Sequence, residues 1–239
     1  MKKFEELTYR LHSIEALRIL KKTMSYNELS SMLSIPPTAL SRYVNGHVIP
    51  SLETARLIYN IFKKKYLIKE VNNRLISDEF GVLDNSLIIY DPVFLKYIIL
   101  SEYEKINSVK IDKVLTIEAD GIPVAYQIAS ILGKEVAVAR KTKELGVREF
   151  IEIKQVFESG TYRYIYLPKN TIKRGEYVFL VDDIIRTGAT MKALVNLCRK
   201  ARANVSGIFT VISLGKKVRT GLEGELGIPV ISFLEIELK

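Results

Sequence analysis

The run VFLVDDIIRTGAT, Val178 to Thr190, constrains this chain more than any other stretch. Four apolar residues in succession read as a buried strand, since a strand covered on both faces needs no polar alternation. Asp182 and Asp183 then bring two carboxylates to the carboxyl end of that strand, where α/β sheets bind ligands. Thr187, Gly188 and Thr190 follow and lead into a helical segment. Free backbone N–H groups at a helix start, flanked by hydroxyls, can cradle a phosphate, and a glycine lets the backbone approach closely. Paired carboxylates beside such a cradle suit ribose hydroxyls or a bridging Mg²⁺. Together these ingredients describe a sugar phosphate. The bland alternative is a strand end with two solvated aspartates and an ordinary capped helix.

The flanking sequence has the rhythm of a parallel sheet. Short apolar runs at Leu87–Asp91, Val114–Ala119, Glu135–Arg140, Tyr177–Asp183, Ile208–Leu214 and Pro229–Ile236 read as buried strands. Helical stretches are expected at about 92–106, 121–132 and 189–203. Strands alternating with helices imply a mainly parallel sheet covered on both faces. Residues 151–167 break the rhythm, and their alternation around Ser159-Gly160 predicts an inserted β-hairpin. A second loop, Glu118-Ala119-Asp120-Gly121, follows one strand and opens a helix, and Arg140-Lys141 closes the next strand. Alone, the first could be a simple helix cap and the second a solvated turn.

From Phe4 to about Ile76 the pattern is helical instead. Phe4, Leu7, Leu11, Ile14, Leu17 and Leu20 form the stripe of an amphipathic helix. Ser25 and Glu28 stand at capping-box spacing. Pro36-Pro37 opens a further helix that Gly46 ends, and Ser51 caps the next. Two short helices thus meet about a tight turn, with Leu29, Leu33, Leu40 and Val44 spaced to pack them and Thr38, Ser41 and Arg42 outward. Such a helix can enter a major groove, where arginine pairs bidentately with guanine. A helical hairpin used only for packing or dimerisation is the competing reading. The boundary falls between Ser77 and Ser86, giving a helix-turn-helix domain over 1–77 and a ligand-binding domain over 78–239.

Charge divides at the same place. Residues 1–75 carry 13 Lys and Arg against 6 Asp and Glu, whereas the remainder carries 23 against 21. A basic module beside a near-neutral one suggests a polyanion bound by the first part, and a solvated basic face is the alternative. The single cysteine, Cys198, excludes an internal disulfide framework, and with only His12 and His47 a histidine- or thiolate-ligated metal centre is not expected. No apolar run approaches the roughly 20 residues of a membrane-spanning helix, so we expect a cytoplasmic protein without membrane contact.

The carboxyl-terminal motif resembles the phosphoribosyl-pyrophosphate (PRPP) signature of the type I phosphoribosyltransferase fold: four apolar residues, two acids, two apolar residues, then Thr-Gly-x-Thr after one variable position. The resemblance implies that Asp182 and Asp183 face the ribose hydroxyls, with Mg²⁺ carried by the ligand. It implies that Arg186, Thr187, Gly188, Ala189 and Thr190 wrap the 5′-phosphate, and that Glu118, Ala119, Asp120 and Gly121 present the diphosphate loop with Arg140 and Lys141 nearby. The hairpin corresponds to the flap of that fold. One position departs: 6-oxopurine phosphoribosyltransferases place a catalytic aspartate where this chain has Arg186, a fixed cation that cannot act as a base. The amino-terminal segment, with LSRYxNGxxxPS at Leu40 to Ser51, resembles the lambda-repressor-like helix-turn-helix family, which implies base or phosphate contacts from Thr38, Ser41 and Arg42 and binding to palindromic duplex DNA as a dimer.

The combination resembles the archaeal orotate-phosphoribosyltransferase-like transcriptional regulators, and in logic the bacterial purine repressors. The function implied is a homodimeric regulator of nucleotide metabolism, chiefly purine, that binds operator DNA and senses PRPP or purine nucleotides. The alternative is an active purine or orotate phosphoribosyltransferase with a helical appendage for oligomerisation or autoregulation.

Overall fold

The structure is a computed structural model describing residues 3–79, 82–156 and 160–237. It comprises two compact units, 1–77 and 78–239.

The first unit is helical: α1 Lys3–Thr23, α2 Tyr26–Leu33, α3 Pro37–Val44 and α4 Leu52–Phe62, which runs through a π turn at Lys63–Leu67 into α5 Ile68–Arg74. The capping box forms as the spacing predicts. The Glu28 N–H donates to the Ser25 hydroxyl at 3.2 Å, and the Ser25 N–H donates to the Glu28 carboxylate at 2.7 Å. These bonds hold the Glu28 carboxyl below its ordinary pKa. The Ser51 hydroxyl accepts the Thr54 N–H at 3.1 Å, and Pro37 begins α3. Gly46 supplies the left-handed turn after it, at φ +76°. Two arginines secure the chain at and beyond the end of α3: Arg18 Nε donates to the Val44 carbonyl and Arg10 Nε to the Pro50 carbonyl, each at 2.7 Å.

The stripe on α1 needs correction. Ile14, Leu17 and Leu20 are buried, but Phe4, Leu7 and Leu11 are exposed. A stripe is buried only where neighbours cover it. Here α3 and α4 pack on α1, and in its first turns the residue they bury is Tyr9, whose ring centroid lies 4.8 Å from that of Tyr59.

Two short extended pieces, β1 Ile76–Ser77 and β2 Leu83–Asp84, lie either side of the boundary. The second unit continues with α6 Ser86–Ile89, α7 Pro92–Ser101, α8 Tyr103–Ile106, β3 Lys113–Ile117, α9 Gly121–Leu132, β4 Glu135–Ala139, β5 Phe150–Val156 and β6 Tyr162–Pro168. It ends with β7 Tyr177–Ile185, α10 Ala189–Lys200, β8 Asn204–Leu214, α11 Lys216–Leu226 and β9 Val230–Ile236. The order β4-β3-β7-β8-β9 is parallel throughout. Strand order reverses between β3 and β7, the kind of crevice in which open α/β sheets bind ligands. Leu115, Leu180, Ile208 and Leu194 anchor the core between sheet and helices. β5 and β6 form the expected hairpin, from Phe150 opposite Pro168 to Val156 opposite Tyr162; Ser159, at its expected turn, lies outside the described residues.

Leu87–Asp91 is not a strand. Asp91 accepts the N–H groups of Val93 and Phe94 at 3.1 and 2.9 Å and Pro92 follows it, so the segment turns into α7 instead of extending. β7 runs two residues past Asp183, α10 stops at Lys200, and α11 forms in a segment that the sequence pattern left unassigned. Among the described residues no helix is long and apolar enough to cross a membrane.

Candidate functional site

The ends of β3 and β7 bring the predicted residues together. Asp182 is only 8% exposed, while Asp183 is half-buried. Burial, reinforced by the Asp183 charge, holds the Asp182 carboxyl well above the usual carboxylate range. The Asp183 N–H donates to Asp182 Oδ1 at 3.1 Å. Asp183 in turn accepts Asn85 Nδ2–H at 2.9 Å on its carboxylate and the Thr210 hydroxyl at 2.9 Å on its carbonyl.

The loop after β3 lies against this pair because Gly121 lacks a side chain. A Cβ there would fall 2.2 Å from Thr116 Oγ1 and 3.1 Å from Asp182 Oδ1. Glu118 faces the other way, accepting the Lys141 N–H and lying 3.8 Å from the Arg140 guanidinium, which also pairs with Glu144 at 3.0 Å. Asp120 accepts the Tyr90 hydroxyl at 2.8 Å, and this hydrogen bond, with burial, raises the Tyr90 phenol pKa.

After β7, Arg186 and Thr187 are exposed. Gly188 adopts φ +78° and starts α10, with Ala189 and Thr190 in the first turn. The Ala189 N–H donates to the Thr187 hydroxyl at 3.4 Å. A cavity of about 310 Å³ opens here, lined by Gln155, Asp182 and residues 184–191. Its size, the start of α10 and the Thr187 and Thr190 residues that line it suit a phosphate ester.

Among the described residues no three His, Cys, Asp or Glu side chains are grouped to hold a metal ion. Asp182 and Asp183 are two carboxylates side by side, a donor set that fits a Mg²⁺ bringing further oxygens from a ligand and water. Neutralising them would also offset the cost of ionising buried Asp182.

Sequence reasoning missed Asn85, Tyr90 and Gln155. Asn85 lies 98 residues from Asp183 in sequence, so no local pattern connects them.

In the first unit, Thr38 and Arg42 are exposed and Ser41 is half-buried, accepting Asn45 Nδ2–H at 3.3 Å. Their spacing puts all three on one face of α3.

The model described as phosphoribosyl transferase domain matches residues 89–224, and that described as helix-turn-helix matches residues 14–66. The chain is 26% identical over 206 residues to the purine biosynthesis transcriptional repressor PurR of Bacillus subtilis, covering 83% of this chain and 67% of that protein. It is 35% identical over 153 residues to the xanthine phosphoribosyltransferase of Bacillus cytotoxicus, covering 61% and 75%. The solved adenine phosphoribosyltransferase of Saccharomyces cerevisiae superposes with a TM-score of 0.60 at 27% identity, covering 70% of this chain and 98% of that one.

Proposed function

This chain belongs to the phosphoribosyl transferase domain family, and from that premise we propose that it is a DNA-binding transcriptional regulator of purine metabolism that senses PRPP or purine nucleotides. One observation carries the reading. The match to the purine repressor spans 206 residues, more than the second unit contains, whereas that to the xanthine enzyme spans 153. Similarity to a repressor therefore extends into the helix-turn-helix unit. That relatives include a purine repressor and a xanthine phosphoribosyltransferase favours purine over orotate chemistry.

In this reading a homodimer sets the two α3 helices on palindromic half-sites, with Thr38, Ser41 and Arg42 at bases or phosphates. Asp182 and Asp183 would hold a Mg²⁺ brought by PRPP, residues 186–190 would take its 5′-phosphate, and residues 118–121 with Arg140 and Lys141 would take its diphosphate. Ligand changes operator affinity only through unequal affinity for the DNA-competent and DNA-incompetent states. Such a regulator works in the cytoplasm. The head resembles the lambda-repressor type, as in the archaeal regulators with an orotate-phosphoribosyltransferase-like domain.

The test is a titration of the chain's own upstream DNA with and without PRPP, Mg²⁺ and purine nucleotides. We expect saturable binding whose midpoint shifts at least severalfold with ligand, towards release. No shift with any of them defeats the sensor reading. The family membership favours catalysis as the second reading; turnover of a purine base with PRPP near ordinary enzyme rates, about 1–1000 per second, would establish it, although Arg186 cannot supply a catalytic base.

Arg42→Ala is expected to weaken operator binding by about 10- to 100-fold, the range of a lost bidentate guanine contact. A gel-shift titration showing undiminished affinity would remove Arg42 from the interface.

A further inference from the structure

Gln155 is a buried polar residue on β5, 3% exposed, in a hairpin whose outer face is wet. Its two ends are committed. Oε1 accepts from Arg163 Nε at 2.7 Å, and Nε2 donates to Thr190 Oγ1 at 3.4 Å. The guanidinium has only donors and no acceptor, so it fixes the orientation of the amide: oxygen towards Arg163, NH₂ towards the first turn of α10. The positive charge behind the amide also strengthens Nε2–H as a donor.

The consequence falls on Thr190. A hydroxyl has one proton and two lone pairs. With Gln155 donating to its oxygen, Thr190 meets the hairpin as an acceptor, and its single proton goes elsewhere. Gln155 and Thr190 line the same 310 Å³ cavity. A group taking that proton must be an acceptor, and an anionic oxygen is the strongest.

Resting on the ligand-site reading above, the geometry points to Gln155 and Arg163 as positioning residues of the phosphate subsite, which orient the Thr190 hydroxyl so that the cavity selects a phosphomonoester over a neutral sugar. The relay ties the hairpin to the cradle, so occupancy by a phosphate strengthens every bond in the line Arg163–Gln155–Thr190.

The test uses the full chain and ribose 5-phosphate by calorimetry, with ribose as the neutral control. Gln155→Glu keeps the shape and still accepts from Arg163, but an ionised carboxylate cannot donate to Thr190 and repels a phosphate. We expect ribose 5-phosphate affinity to fall at least 10-fold in Gln155→Glu and severalfold in Gln155→Ala and Arg163→Ala. In combination with Thr190→Val, the Gln155→Ala loss should nearly vanish, as required of residues acting in series. A purely structural role would instead give additive losses together with a lowered melting temperature. If Gln155→Ala unfolds the chain, Arg163→Lys, which keeps the charge, decides the matter: retained selectivity supports the relay, and unchanged selectivity in Arg163→Ala overturns it. Equal affinity in Gln155→Glu and the unsubstituted chain overturns the relay and leaves the ligand site standing. Absence of binding of both PRPP and ribose 5-phosphate to the unsubstituted chain overturns the site reading and this inference with it.

Discussion

Replacing Asp182 with asparagine is expected to raise the melting temperature of the ligand-free chain while removing most of its affinity for PRPP. The buried carboxyl is held well above its ordinary pKa, chiefly by loss of solvent and then by the Asp183 charge. A raised carboxyl pKa means that the folded state binds the proton more tightly than the unfolded state does. The sign follows from linkage. Below the unfolded value, about 3.9, both states are protonated and the group costs nothing. As pH rises through the window between the unfolded and the folded values, stability falls, and above the folded value the loss is complete. Asparagine is neutral throughout and can still accept the Asp183 N–H through its side-chain oxygen. Thermal melts should therefore show a gain of a few degrees for Asp182→Asn at pH 7 and little difference near pH 3. Isothermal titration should show PRPP affinity reduced about 10- to 100-fold, a charge-assisted contact having been lost. A variant that is less stable at neutral pH, or that binds PRPP undiminished, contradicts this account of the carboxylate pair.

Gly121→Ala should be the most damaging single-methyl change in the second unit. The added Cβ would lie 2.2 Å from the hydroxyl of Thr116, a fully buried residue on β3, and 3.5 Å from the Asp182 Cα. Thr116 is packed inside the sheet, so the loop at 118–121 must lift away from β7. Overpacking of this kind costs about 1–3 kcal/mol, or roughly 2–12 °C in a domain of this size at about 2–4 °C per kcal/mol. Residues 118–121, which the proposed function gives to the diphosphate, would move with it, so PRPP affinity should fall in parallel. Adding Thr116→Ala removes the opposing oxygen and should restore much of the lost melting temperature. Wild-type stability in the single variant, or no recovery in the double one, would show that the close approach is not what Gly121 serves.

The residues proposed to carry the site were legible to the extent that they are contiguous. Asp182 to Thr190 form one strand-turn-helix, and each chemical requirement, two acids at a strand end and a glycine before a helix, is met within nine positions. The same holds for the Ser25–Glu28 box and the Ser51 cap, where donor and acceptor are three residues apart. Leu87–Asp91 misled because a short apolar run has no period of its own, and the outcome lay with the Asp91 cap and Pro92 just beyond it. The stripe on α1 misled differently. Its period is helical, but a period says which side is apolar and not how far a neighbour extends along it.

The two-part organisation, the parallel sheet, the helix that presents Thr38, Ser41 and Arg42, and the loops that end in Asp183, Thr190 and Gly121 could be read along the chain, because all of them depend on residues close together in it. Folding alone settled that Asn85 holds Asp183, that Tyr90 holds Asp120, and that Gln155 reaches Thr190. Those contacts join segments that the sheet and its crossovers bring side by side, and separation along the chain leaves no periodicity from which they could be read.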